Sequence, residues 1–426
     1  MKLLEPDLLW RDGRFETGLK LEIGNDGVIS RIGSNLTASS NDVQRLPSTA
    51  LLPGMVNAHS HAFQRGLRGK AETFGSGSGT FWSWRDFMYR LASSLDVESF
   101  QRLTRLAFQE MLGAGITTVG EFHYVHHLSA APTYELDEAL VVAARDAGIR
   151  LVVLDACYLS GDVSKPLADD QRRFGSSSVE AFLESADRLE ARLERNQSLG
   201  LVAHSLRAVP LEAVVALHEA ARARGVVFHM HVEEQQREID AVRAEYGQSP
   251  LALLLDRLEL GAEFTAVHAT HSDPGELTRL LATGANLCLC PLTEANLADG
   301  IPPPVVSDRG AQLSLGTDSN LRIDFMEEMR LLEYAQRLRE QRRGVFTTSD
   351  GSVAKRLFQI ATEGGARSLG VRAGRLEEGY AADFFTLNLD TPALAQTAPE
   401  ELMTAFVFGA GPSAIQNVAV AGHWIR

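Results

Sequence analysis

A chain of 426 residues has room for one large domain and a smaller one, and its 45% hydrophobic and 23% charged content is that of a soluble globular protein. A net charge of −14 argues against nucleic acid as a partner, and no apolar run approaches the ~18 residues of a membrane span. Three cysteines are too few for a disulfide framework and fit a reducing cytoplasm, and Glu5 and Asp7 break the opening stretch before a secretory core can form.

The first fifty residues read as short strands. LKLEIGNDGVISRIG holds two alternating runs around an Asn-Asp-Gly turn, which is a hairpin signal. The tail has the same character in GRLEEGYAADFFTLNL and NVAVAGHWIR, so the two ends are expected to pair. Residues 1–52 and 370–426 then form one small β-sandwich domain, and residues 53–369 form the domain between them. In that middle block the stretch GMVNAHSHAFQRG at 54–66 places His59 and His61 two apart at the end of an apolar strand. Residues i and i+2 of a strand point to the same side, so both imidazoles could reach one ion.

After this strand come GITTVGEFHYV, IRLVVLDACYL, LGLVAHSLRAVP, VVFHMHVEE, FTAVHATH, ANLCLCPLTEAN and QLSLGTDSN. Helical stretches such as PLEAVVALHEAARARG and PGELTRLLATG fall between them, each closing near a glycine. Eight strands alternating with helices are the pattern of a (β/α)₈ TIM-like barrel, in the α/β class. Cys288 and Cys290 share one strand face and read as core packing. GSGSGT at 75–80 reads as a flexible loop, either part of a lid over the barrel mouth or a plain surface insertion.

Strand C-termini of such a barrel face a common pocket. His59 and His61 end the first strand, His229 and His231 the fifth, His268 and His271 the sixth, and Asp318 the eighth. Four separate strands thus deliver imidazole or carboxylate to one end, which points to a metal site.

HxH on a first strand, His on the fifth and sixth and Asp on the eighth resemble the amidohydrolase superfamily. GMVNAHSHAFQRGLRG, FWSWRDFMYR, EFHYVHH, HMHVEEQQREID and TEANLADG resemble, more narrowly, its N-formimino-L-glutamate deiminases. The resemblance spans nearly the whole chain. It implies one divalent metal ion, zinc by default, held by His59, His61, His231 and Asp318. The fourth strand ends without the lysine that two-metal members carbamylate, and His229 is left as a packed or supporting residue. It further implies Glu234 as acid/base, His268 as the group that orients water, and Asp318 as a proton acceptor. Gln64, Tyr124 and Arg207 match substrate contacts, with Arg85 a candidate for a second carboxylate and His204 a further pocket residue. The implied partner is a small dicarboxylate substrate and the implied assembly a homodimer in the cytoplasm, away from nucleic acid and membrane.

The sequence departs from these relatives at Glu233, normally small and apolar, and at Asn320, where histidine often follows the serine. Rival readings are a purine or pyrimidine deaminase, an imidazolone-ring hydrolase, and a noncatalytic metal-binding barrel. The plainer account of Glu233 and Glu234 is a solvated turn; for Arg85 and Arg207 it is a surface ion pair.

Overall fold

The computed structural model describes residues 2–37, 42–70, 72–74, 79–129, 131 and 133–425. Strands buried along nearly their whole length need cover on both faces, and a ring of parallel strands sheathed in helices provides it. Among the described residues eight strands meet this need: Met55–Ser60, Ile116–His123, Arg150–Cys157, Gln197–Ala203, Phe228–Val232, Phe264–His268, Asn286–Leu289 and Gln312–Leu315. Each pairs in parallel with its neighbour in the chain, from first to eighth. The seam between eighth and first is narrow: Asp318 N–H donates to His59 O at 3.0 Å, and His61 N–H to Asp318 O at 2.8 Å. Gly316 permits this approach, because a Cβ there would lie 2.7 Å from His59 Cβ and 2.9 Å from Cys290 Sγ.

The helices form where the sequence signals them. Leu211–Arg224 ends at Gly225, whose left-handed φ of 67° lets its N–H return to the last turn. Pro274–Ala282 starts with Pro274 in its first turn and with the Asp273 carboxylate accepting from the N–H groups of Gly275 and Glu276. FWSWRDFMYRL opens helix Phe81–Ser94, which Thr80 and Ser83 cap reciprocally. Residues 75–78 of GSGSGT lie outside the described residues.

The chain ends meet in one sheet. Val43–Pro53 pairs in parallel with Lys2–Arg11 and antiparallel with Phe384–Asn388, while Lys20–Ile23 and Ile29–Gly33 form the expected hairpin. Side chains alternate across this sheet. Leu9, Leu51 and Phe384 enter a small core of their own, whereas Leu8, Leu52 and Phe385 join the barrel's. The strand Val43–Pro53 runs almost directly into Met55–Ser60, so the sheet anchors the first barrel strand. Helix Leu402–Gly409, from the C-terminal segment, packs instead on barrel helices Phe325–Glu340 and Val353–Gln359. Among the described residues no helix is long and apolar enough to cross a membrane.

Candidate metal and active site

His59 and His61 leave the first strand on one side, as their spacing requires. Their Nε2 atoms lie 3.4 and 3.3 Å from Asp318 Oδ1, and His231 Nε2 lies 3.2 Å from His59 Nε2. A tetrahedral ion with bonds of about 2.0–2.1 Å would set its ligand atoms about 3.3 Å apart. The separations therefore suit one small cation.

The rings are also oriented for such a role. His61 Nδ1 is 2.9 Å from Phe122 O and His231 Nδ1 is 3.1 Å from His204 O. A carbonyl only accepts, so each Nδ1 carries the proton and each Nε2 lone pair faces the centre. Burial lowers the pKa of His59, His61 and His231, that of His61 to about 3, which keeps the three imidazoles neutral. Burial alone would raise the Asp318 carboxyl, yet His59, His61 and His268 bring it below the usual carboxylate range. Three neutral nitrogens and one carboxylate form a donor set that fits a divalent ion.

The backbone at this end of the barrel is bent into the left-handed region at several non-glycine residues, among them Glu233 (φ 55°), His268 (φ 78°), Ala269 (φ 53°), Asp318 (φ 45°) and Asn320 (φ 54°). Such conformations cost about 1–3 kcal/mol each and concentrate where side chains must be aimed. At Glu233 the bend separates two adjacent carboxylates. Glu233 turns away and accepts from Leu251 N–H at 3.0 Å, capping the start of helix Pro250–Arg257. Glu234 faces the cavity, with Oε1 3.7 Å from His268 Nε2 and Oε2 3.6 Å from Arg207 Nη2. Both are buried, so a solvated turn is not what the sequence builds here. Burial raises the Glu234 carboxyl against the pull of His268 and Arg207. Burial would lower His268, but Glu234, Glu294 and Asp318 raise it to about 10.

The cavity holds about 540 Å³ of empty space, part of it open to solvent, and His61, His231 and Asp318 reach it from the barrel. Gln64, Arg85, Tyr124, His204 and Arg207 all line it as well. Gln64 Nε2 donates to Tyr124 Oη at 2.9 Å. Arg85 lies against Trp82 and Tyr89, its guanidinium carbon 4.5 and 5.3 Å from the ring centres. It has no carboxylate partner among the described residues. Arg207 reaches Glu234 and, at 3.9 Å, Glu238, so neither arginine is tied up in a surface ion pair.

The amidohydrolase family model matches residues 50–425. The chain belongs to the amidohydrolase family. It is 39% identical to the formimidoylglutamate deiminase of Pseudomonas aeruginosa, over 96% of this chain and 90% of that one. It is 29% identical to a 5-methylthioadenosine/S-adenosylhomocysteine deaminase of Natronomonas pharaonis, over 100% of this chain and 90% of the other. A crystal structure of an amidohydrolase from Brucella melitensis superposes with a TM-score of 0.89 at 31% identity, covering 100% of this chain and 94% of that one.

Two histidines of the sequence constellation stay apart from this amidohydrolase's cluster. His229 shares a strand face with His231, but its Nε2 is 2.8 Å from Ser368 O, deeper in the barrel. His271 lies beyond the end of the sixth strand and is exposed. Cys288 and Cys290 are buried beside Ala58 and Val267, as core packing requires.

Sequence reasoning missed other cavity residues. Met88 and Tyr89 come from the aromatic helix, and Tyr158 and Phe174 from the long connection after the third strand. Glu294 sits behind His268 with no role read from the sequence, although TEANLADG is one of the stretches that carry the resemblance.

Proposed function

We propose that this amidohydrolase hydrolyses N-formimino-L-glutamate to N-formyl-L-glutamate and ammonia at one divalent ion, by default zinc, held by His59, His61, His231 and Asp318. The observation that carries the reading is that Arg85 and Arg207 share a cavity with three of those donors, His61, His231 and Asp318. A substrate with two carboxylates needs two such guanidinium forks beside the reacting carbon. The 39% relative named as a formimidoylglutamate deiminase supports the same choice.

A divalent ion at such a site lowers the pKa of a coordinated water toward ~7 and supplies a nucleophile at neutral pH. The chain's own groups manage the protons and the substrate. Asp318 accepts a proton from the water. Glu234, whose burial favours its acid form, protonates the imine nitrogen. It then passes the carbinol hydroxyl proton to the departing amino group as the C=O forms, and is restored by the proton that Asp318 took from the water. Water thus adds across the C=N bond, the C–NH₂ bond breaks, and the carbon keeps the oxygen as a formyl group. His268 Nε2, directed at Glu234 and Asp318, orients the water and stabilises developing charge. Gln64 and Tyr124 offer hydrogen bonds to the formimino end, while His204 narrows the wall beside Arg207. Three buried, unpaired cysteines support a reducing cytoplasmic setting.

The nucleoside deaminase at 29% identity sets the rival assay arm. Ammonia release is measured from N-formimino-L-glutamate, 5-methylthioadenosine, guanine and cytosine, and ring opening from imidazolonepropionate. Turnover of the first is expected; its absence beside turnover of any other refutes the assignment.

A further inference from the structure

Glu294 is buried and lies on the short helix Pro291–Asn296, directly after the seventh strand. Its Oε1 makes two contacts. Cys290 N–H donates to it at 2.9 Å, and His268 Nδ1 lies 3.3 Å away. The first contact has a backbone counterpart, because Glu294 N–H donates to Cys290 O at 2.9 Å. The carboxylate is therefore pinned to its own loop before it meets the histidine.

His268 needs an external hold. It stands at the end of its strand with φ 78°, and Ala269 follows at φ 53°, so two successive left-handed residues set its backbone. Nothing local to that geometry selects a ring orientation. A fixed acceptor at Nδ1 does. It receives the Nδ1–H and so aims Nε2 at Glu234 Oε1 (3.7 Å) and Asp318 Oδ2 (3.9 Å). The His231 ring, stacked at 5.5 Å between centroids, confines the plane but not the flip.

We propose that Glu294 is a positioning residue for the reaction, acting through His268 by accepting a hydrogen bond from its Nδ1–H. The proposal rests on the functional reading above for the role of His268, and it assigns Glu294 no contact with substrate. The hold on the ring comes from the acceptor oxygen, with or without a charge on it. Because Cys290 N–H holds the same oxygen, Glu294→Gln keeps its amide oxygen in place and keeps presenting an acceptor to Nδ1. Glu294→Met has similar length and no acceptor.

The test compares the two variants with wild-type holoenzyme on whichever substrate of the assay panel the wild type turns over. Failure of the substrate assignment is thereby separate from failure of this proposal. Expected for Glu294→Met is a kcat lower by about 10- to 100-fold, KM within about threefold and unchanged metal content, the range seen when partners of this kind are removed. Glu294→Gln should keep kcat within about threefold of wild type. An activity-independent readout uses ¹⁵N-histidine-labelled protein, in which the signal that His268→Asn deletes reports the ring. It should show a hydrogen-bonded, slowly exchanging Nδ1 proton in wild type and in Glu294→Gln. Three results overturn the proposal: a Met variant with wild-type kcat, a Gln variant that falls as far as the Met variant, or loss of the Nδ1 proton signal in Glu294→Gln. The last remains decisive should the Met variant not fold.

Discussion

Replacing Glu234 by glutamine separates the proton shuttle from the metal site. The side chain keeps its length and a hydrogen-bonding end but can no longer hold and release a proton. A positioned acid/base group contributes about 10²–10⁴ in rate, so kcat should fall by that factor, equivalent to about 3–5 kcal/mol. Metal content should not change, because the convergent donor set is His59, His61, His231 and Asp318 without Glu234. KM should not rise. Arg207 loses the carboxylate 3.6 Å from its Nη2 and keeps only Glu238 at 3.9 Å, which leaves it freer for an anionic substrate. The assay is steady-state ammonia release on protein whose metal has been quantified by elemental analysis. A kcat within tenfold of wild type would remove Glu234 from the proton path. Loss of metal in step with loss of activity would make it a ligand instead.

Two further perturbations probe the substrate wall and the fold. Arg85→Met should raise KM for N-formimino-L-glutamate by about 10- to 100-fold with kcat nearly unchanged, the loss of one charge-assisted contact made equally in ground and transition states. An unchanged KM would free Arg85 from substrate binding. Asp137→Asn tests a buried cluster away from the cavity, where Asp137 Oδ1 is 2.9 Å from both His123 Nε2 and His126 Nδ1. Burial opposes both charges, but the pair holds His126 up at about 9 and Asp137 down at about 2. A raised histidine stabilises fully below its unfolded value near 6.5 and loses that contribution as pH rises through about 9; a lowered aspartate contributes above about 3.8 and loses it as pH falls through about 2. The variant should therefore cost most between pH ~4 and ~6.5, about 3–5 kcal/mol, and less at pH 9.5. Urea unfolding at pH 5.5 and 9.5 measures the gap, and a pH-independent gap would refute the ion-pair account.

The barrel was legible in the sequence because its strands are unusual. IRLVVLDACYL is apolar in both side-chain parities over Leu151–Leu154, which a sheet covered on two faces demands, and the helices between such runs carry their own stop signals. The polar rim was legible for the same geometric reason, since a histidine or aspartate closing such a strand has one direction left in which to point. Depth along a strand is not encoded that way. His229 and His231 obey the same two-residue period, yet one ends on the Ser368 carbonyl and the other beside His59. Period-two reasoning fixes the side of a sheet and leaves the level open; the family resemblance had to supply it.

Backbone handedness was the second thing the sequence withheld. Glu233 and Glu234 look like one acidic pair, and an ordinary extended chain would send them to opposite faces of a strand. The left-handed φ of 55° at Glu233 sends one to cap a helix and the other into the cavity, at a residue type that offers no local preference for it. The same applies at His268 and Asp318, where strain is held by tertiary contacts: the seam hydrogen bonds for Asp318, and the Glu294 acceptor for the His268 ring. A position whose conformation runs against its own residue type needs support from a distant residue. Sequence alone shows the strained residue as ordinary and its support as unrelated, which is why Glu294 emerged only once the seventh-strand loop stood beside the sixth.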